Sequence, residues 1–213
     1  MTELINVVPL YNRQTGAFEE ARLYQPVDRS HLDDFDARWM PEFDRRFEAH
    51  ATRGGRGIPE QLQDCRWDWR DLVEKYARRL DYESFALECA GSTQGLLLVA
   101  TAAFGRAPGN MGLEIIYVDR LATAPWNRLG GARPPVYKGV GRILLIAAMS
   151  LSDELGFHRR LGLHALPQAE SWYREVCGME DLGPDRAYAN LCYFEMTETQ
   201  AAAFVAEDEE GTA

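Results

Sequence analysis

Cysteine is scarce and scattered. Cys65, Cys89, Cys177 and Cys192 make no Cys-x-x-Cys pair, and no histidine spacing beside them suits zinc. That pattern argues against a disulfide-stapled design or a structural metal, and reads as reduced thiols in a cytoplasmic protein. Long hydrophobic runs are missing too. The longest, Gly95 to Phe104, is far too short to span a bilayer, and no basic-plus-apolar leader is visible at the N-terminus. Positive charge is in deficit: 23 Lys and Arg against 33 Asp and Glu leave a formal charge of -10. This balance argues against broad nucleic-acid binding, which needs cations to neutralise phosphates. It favours a cationic substrate such as an amine. No nucleic-acid, membrane or metal partner is expected on these grounds.

What is present is a chain of 213 residues, 46% of them hydrophobic, enough for one core without staples. Residues 1–206 are expected to form a single domain, with 1–28 as a leading strand or hairpin around the turn Asn12 to Gly16. Residues 207–213, which contain Glu207-Asp208-Glu209-Glu210, read as a disordered acidic tail. From Ser30, read as a helix cap, Leu32, Phe35, Trp39, Phe43 and Phe47 recur at helical spacing. Arg53 to Pro59 breaks that helix. A second one is expected with Cys65, Trp69, Leu72, Tyr76 and Leu80 on one face. Trp67 and Trp69 either line an acceptor cleft or pack in the core. Strands are read at Tyr82 to Glu88, Leu96 to Phe104, Leu113 to Thr123, Arg160 to Ala165 and Tyr188 to Met196, with a turn over Gly91 to Gly95 and a short helix or frayed tail from Glu198 to Ala206.

The stretch from Leu113 to Met179 organises the rest. An Ile-, Val- and Tyr-rich strand ends at Ala124-Pro125, since proline cannot donate to a continuing ladder. After a loop, Lys138-Gly139-Val140-Gly141-Arg142 leads into the helical run from Ile143 to Leu155. Glycines ahead of a helix allow close backbone approach, and the first-turn N–H groups with the helix dipole favour phosphate oxygens. A plain turn is the alternative.

Leu121-Ala122-Thr123-Ala124-Pro125, then Gly139-Val140-Gly141, then Ala169-Glu170-Ser171-Trp172-Tyr173 with Cys177-Gly178-Met179, resemble in order and spacing the GNAT superfamily of acetyl-CoA-dependent N-acetyltransferases. The resemblance covers roughly Tyr82 to Met196. Val136 stands where that family has Gln or Arg, Thr123 replaces a Val, and Trp126 to Pro135 lengthens the intervening loop. The resemblance implies an α/β fold with a mixed, mostly antiparallel sheet of about six or seven strands flanked by helices on both faces. It implies acetyl-CoA as cofactor, with the pantetheine arm along Leu121, Ala122 and Thr123. The pyrophosphate would lie at Lys138, Gly139, Val140, Gly141 and Arg142. Edge strands in such folds also pair, so a homodimer is possible.

The implied chemistry is acetyl transfer from a thioester directly to an amine, which needs a proton acceptor for the ammonium and a donor for the departing sulfur. Tyr173 matches the family tyrosine that protonates sulfur, a phenol with pKa about 10. On a strand alternate residues share a face, so Tyr117 and Asp119 point the same way as Leu121 and Thr123. The resemblance makes both candidates for the base or for a water chain leading to it, since in that family the positions two and four before the Leu of the strand motif often carry such groups; a salt bridge is the other reading of Asp119. His164 is a further candidate because its ordinary pKa of about 6.5 suits proton transfer at neutral pH. Two functions follow: an active N-acetyltransferase, or a GNAT-fold binding or regulatory module with weak catalysis.

Overall fold

The computed structural model describes residues 1–59, 62–128 and 134–211, with side chains as far as residue 206. Strands β1 (Glu3–Asn12) and β2 (Ala17–Gln25) form the expected leading hairpin, its turn closed by the Asn12 side-chain oxygen accepting from the Gln14 N–H at 2.8 Å. Then come α1 (Arg29–Asp34), a π-helical turn (Phe35–Trp39) and α2 (Met40–Thr52). The cap is Asp28 rather than Ser30, because its carboxylate reaches the Ser30 and His31 N–H groups. Pro41 explains the π turn. Proline brings no N–H to the ladder and crowds the carbonyl four residues back, so the Met40 N–H bonds instead to Phe35 O.

Helix α3 (Trp69–Tyr76) is shorter than its apolar spacing implies. Leu80 lies beyond it and is exposed, so it is not part of the buried face. The remaining elements are β3 (Tyr82–Cys89), β4 (Ser92–Phe104), β5 (Glu114–Thr123), β6 (Tyr137–Lys138), α4 (Val140–Glu154), β7 (Leu161–Ala165), β8 (Glu180–Asp185), β9 (Leu191–Met196) and α5 (Glu198–Gly211). The expected tail at 207–213 lies outside the residues with described side chains; the backbone is helical as far as Gly211.

The strands form one sheet in the order β6-β1-β2-β3-β4-β5-β7-β9-β8, flanked by helices. This is a mixed α/β fold, as expected, but with nine strands in place of six or seven. Of the extra strands, β6 has only two residues. Strand β8 has the sequence Glu-Asp-Leu-Gly-Pro-Asp, polar and interrupted, tolerated because β8 is an edge strand with an irregular register between Asp181 and Pro184. Gly95, read as a turn residue, lies inside β4, and Tyr188 falls in a 3-10 turn before β9. Strand β5 pairs in parallel with β7, whereas β1–β2, β2–β3, β7–β9 and β8–β9 are antiparallel. Among the described residues, no helix is long and apolar enough to cross a membrane.

The chain packs as two compact units. The first comprises Met1–Leu98 and Arg120–Leu144. Its core gathers Leu32, Phe35, Trp39, Phe43, Trp69, Leu96 and Leu98, so the aromatic stripe read from the sequence is indeed core. Trp69 belongs to that core at 1% exposure. Trp67 is half-buried, with the Arg120 guanidinium 5.1 Å from its ring centroid. Gly95 serves close packing here: a Cβ would sit 2.7 Å from both Val140 Cγ1 and Leu144 Cδ1. A bare backbone at this point of β4 lets the first turns of α4 lie directly on the sheet.

The second unit comprises Val99–Asp119 and Leu145–Ala213. Its centre holds a fully buried carboxylate. Glu195 on β9 accepts from the Arg106 N–H, the Ala107 N–H at 3.0 Å and Asn110 Nδ2 at 3.1 Å, fixing the loop between β4 and β5. Glu195→Ala would leave these buried donors without their acceptor. Each such group costs about 1–3 kcal/mol, so the loss should reach about 3 kcal/mol. Urea unfolding checks it; an unchanged midpoint refutes the assignment.

Candidate active site

Each unit holds its own set of candidate residues. In the first unit the governing feature is where β5 stops pairing. Its parallel ladder with β7 covers Ile116, Tyr117 and Val118, yet β5 continues to Thr123. On the β4 side the Ala124 N–H bonds to Gln94 O at 2.8 Å. Backbone groups of successive strand residues point to opposite edges, so those of Leu121 and Thr123 face away from β4. Ala122, between them, is buried against the sheet at 3% exposure, while Leu121 and Thr123 are half-buried.

Beyond the loop, Lys138 is exposed in β6 and Gly139 adopts φ +101. That conformation suits glycine, and a Cβ built there meets nothing within 4 Å, so the space before the helix is open. Helix α4 begins at Val140, and the Ile143 N–H makes an intrahelical bond back to Gly139 O at 2.9 Å. The N–H groups of Val140 and Gly141 precede that bond and have no intrahelical acceptor by helix geometry. Gly141 and Arg142 are half-buried in the same turn.

Sequence reasoning missed the supports of this region. Arg128 makes a two-pronged ion pair with the buried Asp64, Nη1 to Oδ1 at 2.6 Å and Nη2 to Oδ2 at 2.7 Å. The same guanidinium donates to Thr123 O, from Nε at 2.8 Å and Nη2 at 2.5 Å. It also lies 5.3 Å from the Phe43 ring centroid. Gln94 Oε1 accepts from Trp126 Nε1 and Asn127 Nδ2, both at 2.9 Å. Val136, in the position of the expected Gln or Arg, is tied by its backbone: its N–H reaches Trp126 O at 3.0 Å and its carbonyl accepts from the Arg13 N–H at 2.8 Å. Residues 129–133 of the lengthened loop lie outside the described residues.

In the second unit two of the candidates meet. Tyr117 Oη lies 2.8 Å from His164 Nδ1, and His164 Nε2 lies 3.2 Å from Asp185 Oδ2. Arg106 Nη1 donates to the same Asp185 oxygen at 2.6 Å, and its guanidinium stands 4.4 Å from the Tyr193 ring centroid. Tyr188 stacks on His164 with centroids 3.8 Å apart and rings 11° from parallel. Tyr193, the cross-strand partner of His164, covers the ring with its centroid 4.7 Å away. The His164 side chain is 3% exposed. Burial is the main reason its pKa lies below the ordinary value, with Asp185 pulling the other way. Arg106, then the Ala187 N–H, hold the Asp185 carboxyl down at about 2.

Tyr173 sits apart from this cluster by its own contacts. It lies in the π-helical turn Trp172–Val176, 7% exposed, with Trp172 edge-on at 4.9 Å and Phe194 tilted at 6.0 Å. Burial pushes its pKa up, so the phenol is neutral and holds a proton to donate. Asp119 is half-buried near the end of the second unit's part of β5. Asp185, Arg106, Tyr188 and Tyr193 carried no sequence signal, because only strand pairing brings them to His164 from 20 to 60 positions away. Among the described residues no group of three His, Cys, Asp or Glu is placed to hold a metal ion.

No protein-family model and no curated protein sequence matches the chain. Solved structures do. The PaiA N-acetyltransferase of Thermoplasma acidophilum, in complex with coenzyme A, is similar with a TM-score of 0.51 and 12% identity over 82% of this chain and 98% of that one. An acetyltransferase of an Exiguobacterium species gives 0.47 and 16% over 86% of this chain and 97% of that one. An aminoglycoside N-acetyltransferase solved with CoA gives 0.46 and 14% over 73% and 84%. The likeness to the Thermoplasma protein shows that the chain has the GNAT fold.

Burial of two neutral histidines fixes the sign of the pH dependence. His31 is lowered by burial as His164 is, so for both the folded pKa lies below the unfolded value of about 6.5. The unfolded chain then binds more protons as pH falls. Their contribution to stability is present above about pH 6.5 and is lost as pH drops through the folded pKa values. Unfolding free energy measured by urea should decline from pH 7.5 to 5.5. The decline should be shallower in His31→Gln/His164→Gln, and an identical slope refutes the account.

Proposed function

We propose that the chain is an acetyl-CoA-dependent N-acetyltransferase that transfers the acetyl group directly to a primary amine of a small molecule or peptide. The observation that carries this reading is the pairing of a ladder-free strand end with an open glycine turn at a helix start. Thr123 and Leu121 direct backbone groups away from β4, and Gly139 at φ +101 opens the space before the first turn of α4. The amide-bearing pantetheine arm suits the first feature, and a pyrophosphate suits the second. Leu121, Ala122 and Thr123 would hold the arm. The turn from Lys138 to Arg142 would hold the phosphates, its two cations adding to the helix dipole. Bound acetyl-CoA supplies an activated acyl group and a thiolate leaving group.

The chain's own residues have two tasks. The neutral phenol of Tyr173 would give a proton to the departing sulfur. Its burial keeps the proton in place until then. Tyr117, His164 and Asp119 are the groups available to accept the proton of an incoming ammonium. The excess of acidic residues favours a cationic acceptor of this kind.

A second reading is favoured by Arg128. Its guanidinium already occupies the Thr123 carbonyl on the edge assigned to the pantetheine arm. Together with Val136 in place of Gln or Arg, this supports a GNAT-fold binding module of weak catalysis.

Calorimetric titration with acetyl-CoA separates the two. The enzyme reading expects saturable binding that is lost in Gly141→Glu, which puts a carboxylate into the phosphate turn. It also expects Tyr173→Phe to bind acetyl-CoA normally while its kcat falls by about 10²-fold or more. Wild-type protein that does not bind acetyl-CoA rules out the enzyme; binding without turnover of amines leaves the module.

A further inference from the structure

The polar cluster around His164 is more ordered than a structural histidine requires. Its hydrogen bonds have a single consistent direction. Asp185 is ionised beside the Arg106 guanidinium and can only accept, so the proton on His164 belongs on Nε2. Nδ1 is then a lone pair and must accept from the Tyr117 hydroxyl at 2.8 Å. The ring has little freedom to turn away, being stacked on Tyr188 and flanked by Tyr193. Asp185 controls that stacking as well. Its other oxygen caps the turn Arg186–Tyr188 by accepting from the Ala187 N–H at 2.9 Å, and its carbonyl accepts from the Asn190 N–H at 2.9 Å. One carboxylate therefore sets the tautomer, the ring plane and the lid over the ring.

We propose that Tyr117, His164 and Asp185 form a proton relay that serves as the general base, with the Tyr117 hydroxyl as its substrate-facing end. The proposal rests on the acetyltransferase reading above and names which of its acceptors is used. Tyr117 is half-buried and stands at the end of the hydrogen-bonded series opposite Asp185, so its phenol is the end assigned to the substrate. In the step, an N–H bond of the acceptor's ammonium breaks and an O–H bond forms at Tyr117. The original Tyr117 O–H bond breaks and an N–H bond forms at His164 Nδ1. The acceptor is left as a neutral amine with its lone pair, and the positive charge resides on an imidazolium that faces Asp185. After turnover the proton leaves by the same route to solvent. Burial keeps His164 neutral and ready to accept, while Asp185 stabilises it once charged. The charged and titratable groups packed on the imidazole are Tyr117 from β5, Tyr193 from β9, and Asp185 and Tyr188 at the end of β8, with Arg106 behind Asp185. Asp185 and Arg106 are positioning residues; Tyr117 is the catalytic one.

Two measurements on the full chain test this. Nitrogen-15 NMR of histidine-labelled protein should show His164 as the Nε2–H tautomer at pH 7.5. In Asp185→Asn its pKa should fall by about one unit or more, since an adjacent carboxylate favours the charged ring. Kinetics with acetyl-CoA and a panel of spermidine and a lysine-containing peptide should show kcat in Tyr117→Phe and His164→Gln down by roughly 10²–10⁴-fold. Acetyl-CoA affinity should stay within about twofold, which also reports an intact fold. The acidic limb of the kcat/KM profile should move in Asp185→Asn by the same amount as the NMR pKa, which a merely structural aspartate would not cause. An Nδ1–H tautomer, an unmoved acidic limb, or a Tyr117→Phe variant of normal kcat would overturn the relay and leave the acetyltransferase reading standing. A wild type that acetylates no amine of the panel would overturn both.

Discussion

Strand β5 has to change its company along its length. It is held by a parallel ladder to β7 over Ile116 to Val118, and past that point its outer backbone groups lose that neighbour while the strand runs on to Thr123. Exposed or half-buried peptide groups must be satisfied by something. Here the protein supplies Arg128, itself pinned by two hydrogen bonds to buried Asp64 and resting on Phe43. The same requirement shapes the loop after β5. Gln94 receives Trp126 and Asn127, and Asn127 Oδ1 accepts from the Tyr137 N–H at 3.0 Å. These bonds tie Trp126 and Asn127 to β4 and to Tyr137, two residues before the glycine that precedes α4.

The second unit solves a related problem with carboxylates. Glu195, fully buried, is paired with N–H donors of a loop, so its oxygens are satisfied without a cation in contact. Asp185, nearer the surface, is paired with both a guanidinium and an imidazole. A carboxylate surrounded by the donors of one loop fixes that loop, while one shared between Arg106 and His164 sets the direction of the hydrogen bond between Tyr117 and His164. Tyr173 is different again: its setting is aromatic, and burial first, then the neighbouring Cys177, keeps its proton on.

Much of the fold was legible in the sequence. The leading hairpin showed in its turn between two short apolar runs, the aromatic stripe in its helical spacing, strands β3 to β5 and β7 in short apolar or β-branched runs between turns, and the helix after the glycine turn in its apolar run. The failures have physical causes. Strand β8 is polar and carries Gly183-Pro184, which edge position tolerates; β6 has too few residues to show a period. Trp69 and Leu80 shared an apolar spacing, but the helix ends at Tyr76, which buries one and exposes the other. Asp28 took the cap from Ser30 because a carboxylate two residues earlier reached both N–H groups.

By itself the sequence determined the local chemistry: a strand closed by proline, a glycine-led helix start, a tyrosine in a short helix, and an excess of acidic over basic residues. These depend on neighbours a few positions apart, and so they are written in order along the chain. Tertiary structure alone decided which polar groups meet. Arg128 with Asp64, Glu195 with the Arg106–Asn110 loop, and His164 with Tyr117 and Asp185 join residues between 21 and 89 positions apart. Sheet order and register bring them together, and a hydrogen bond depends on distance in space, which spacing in sequence does not encode.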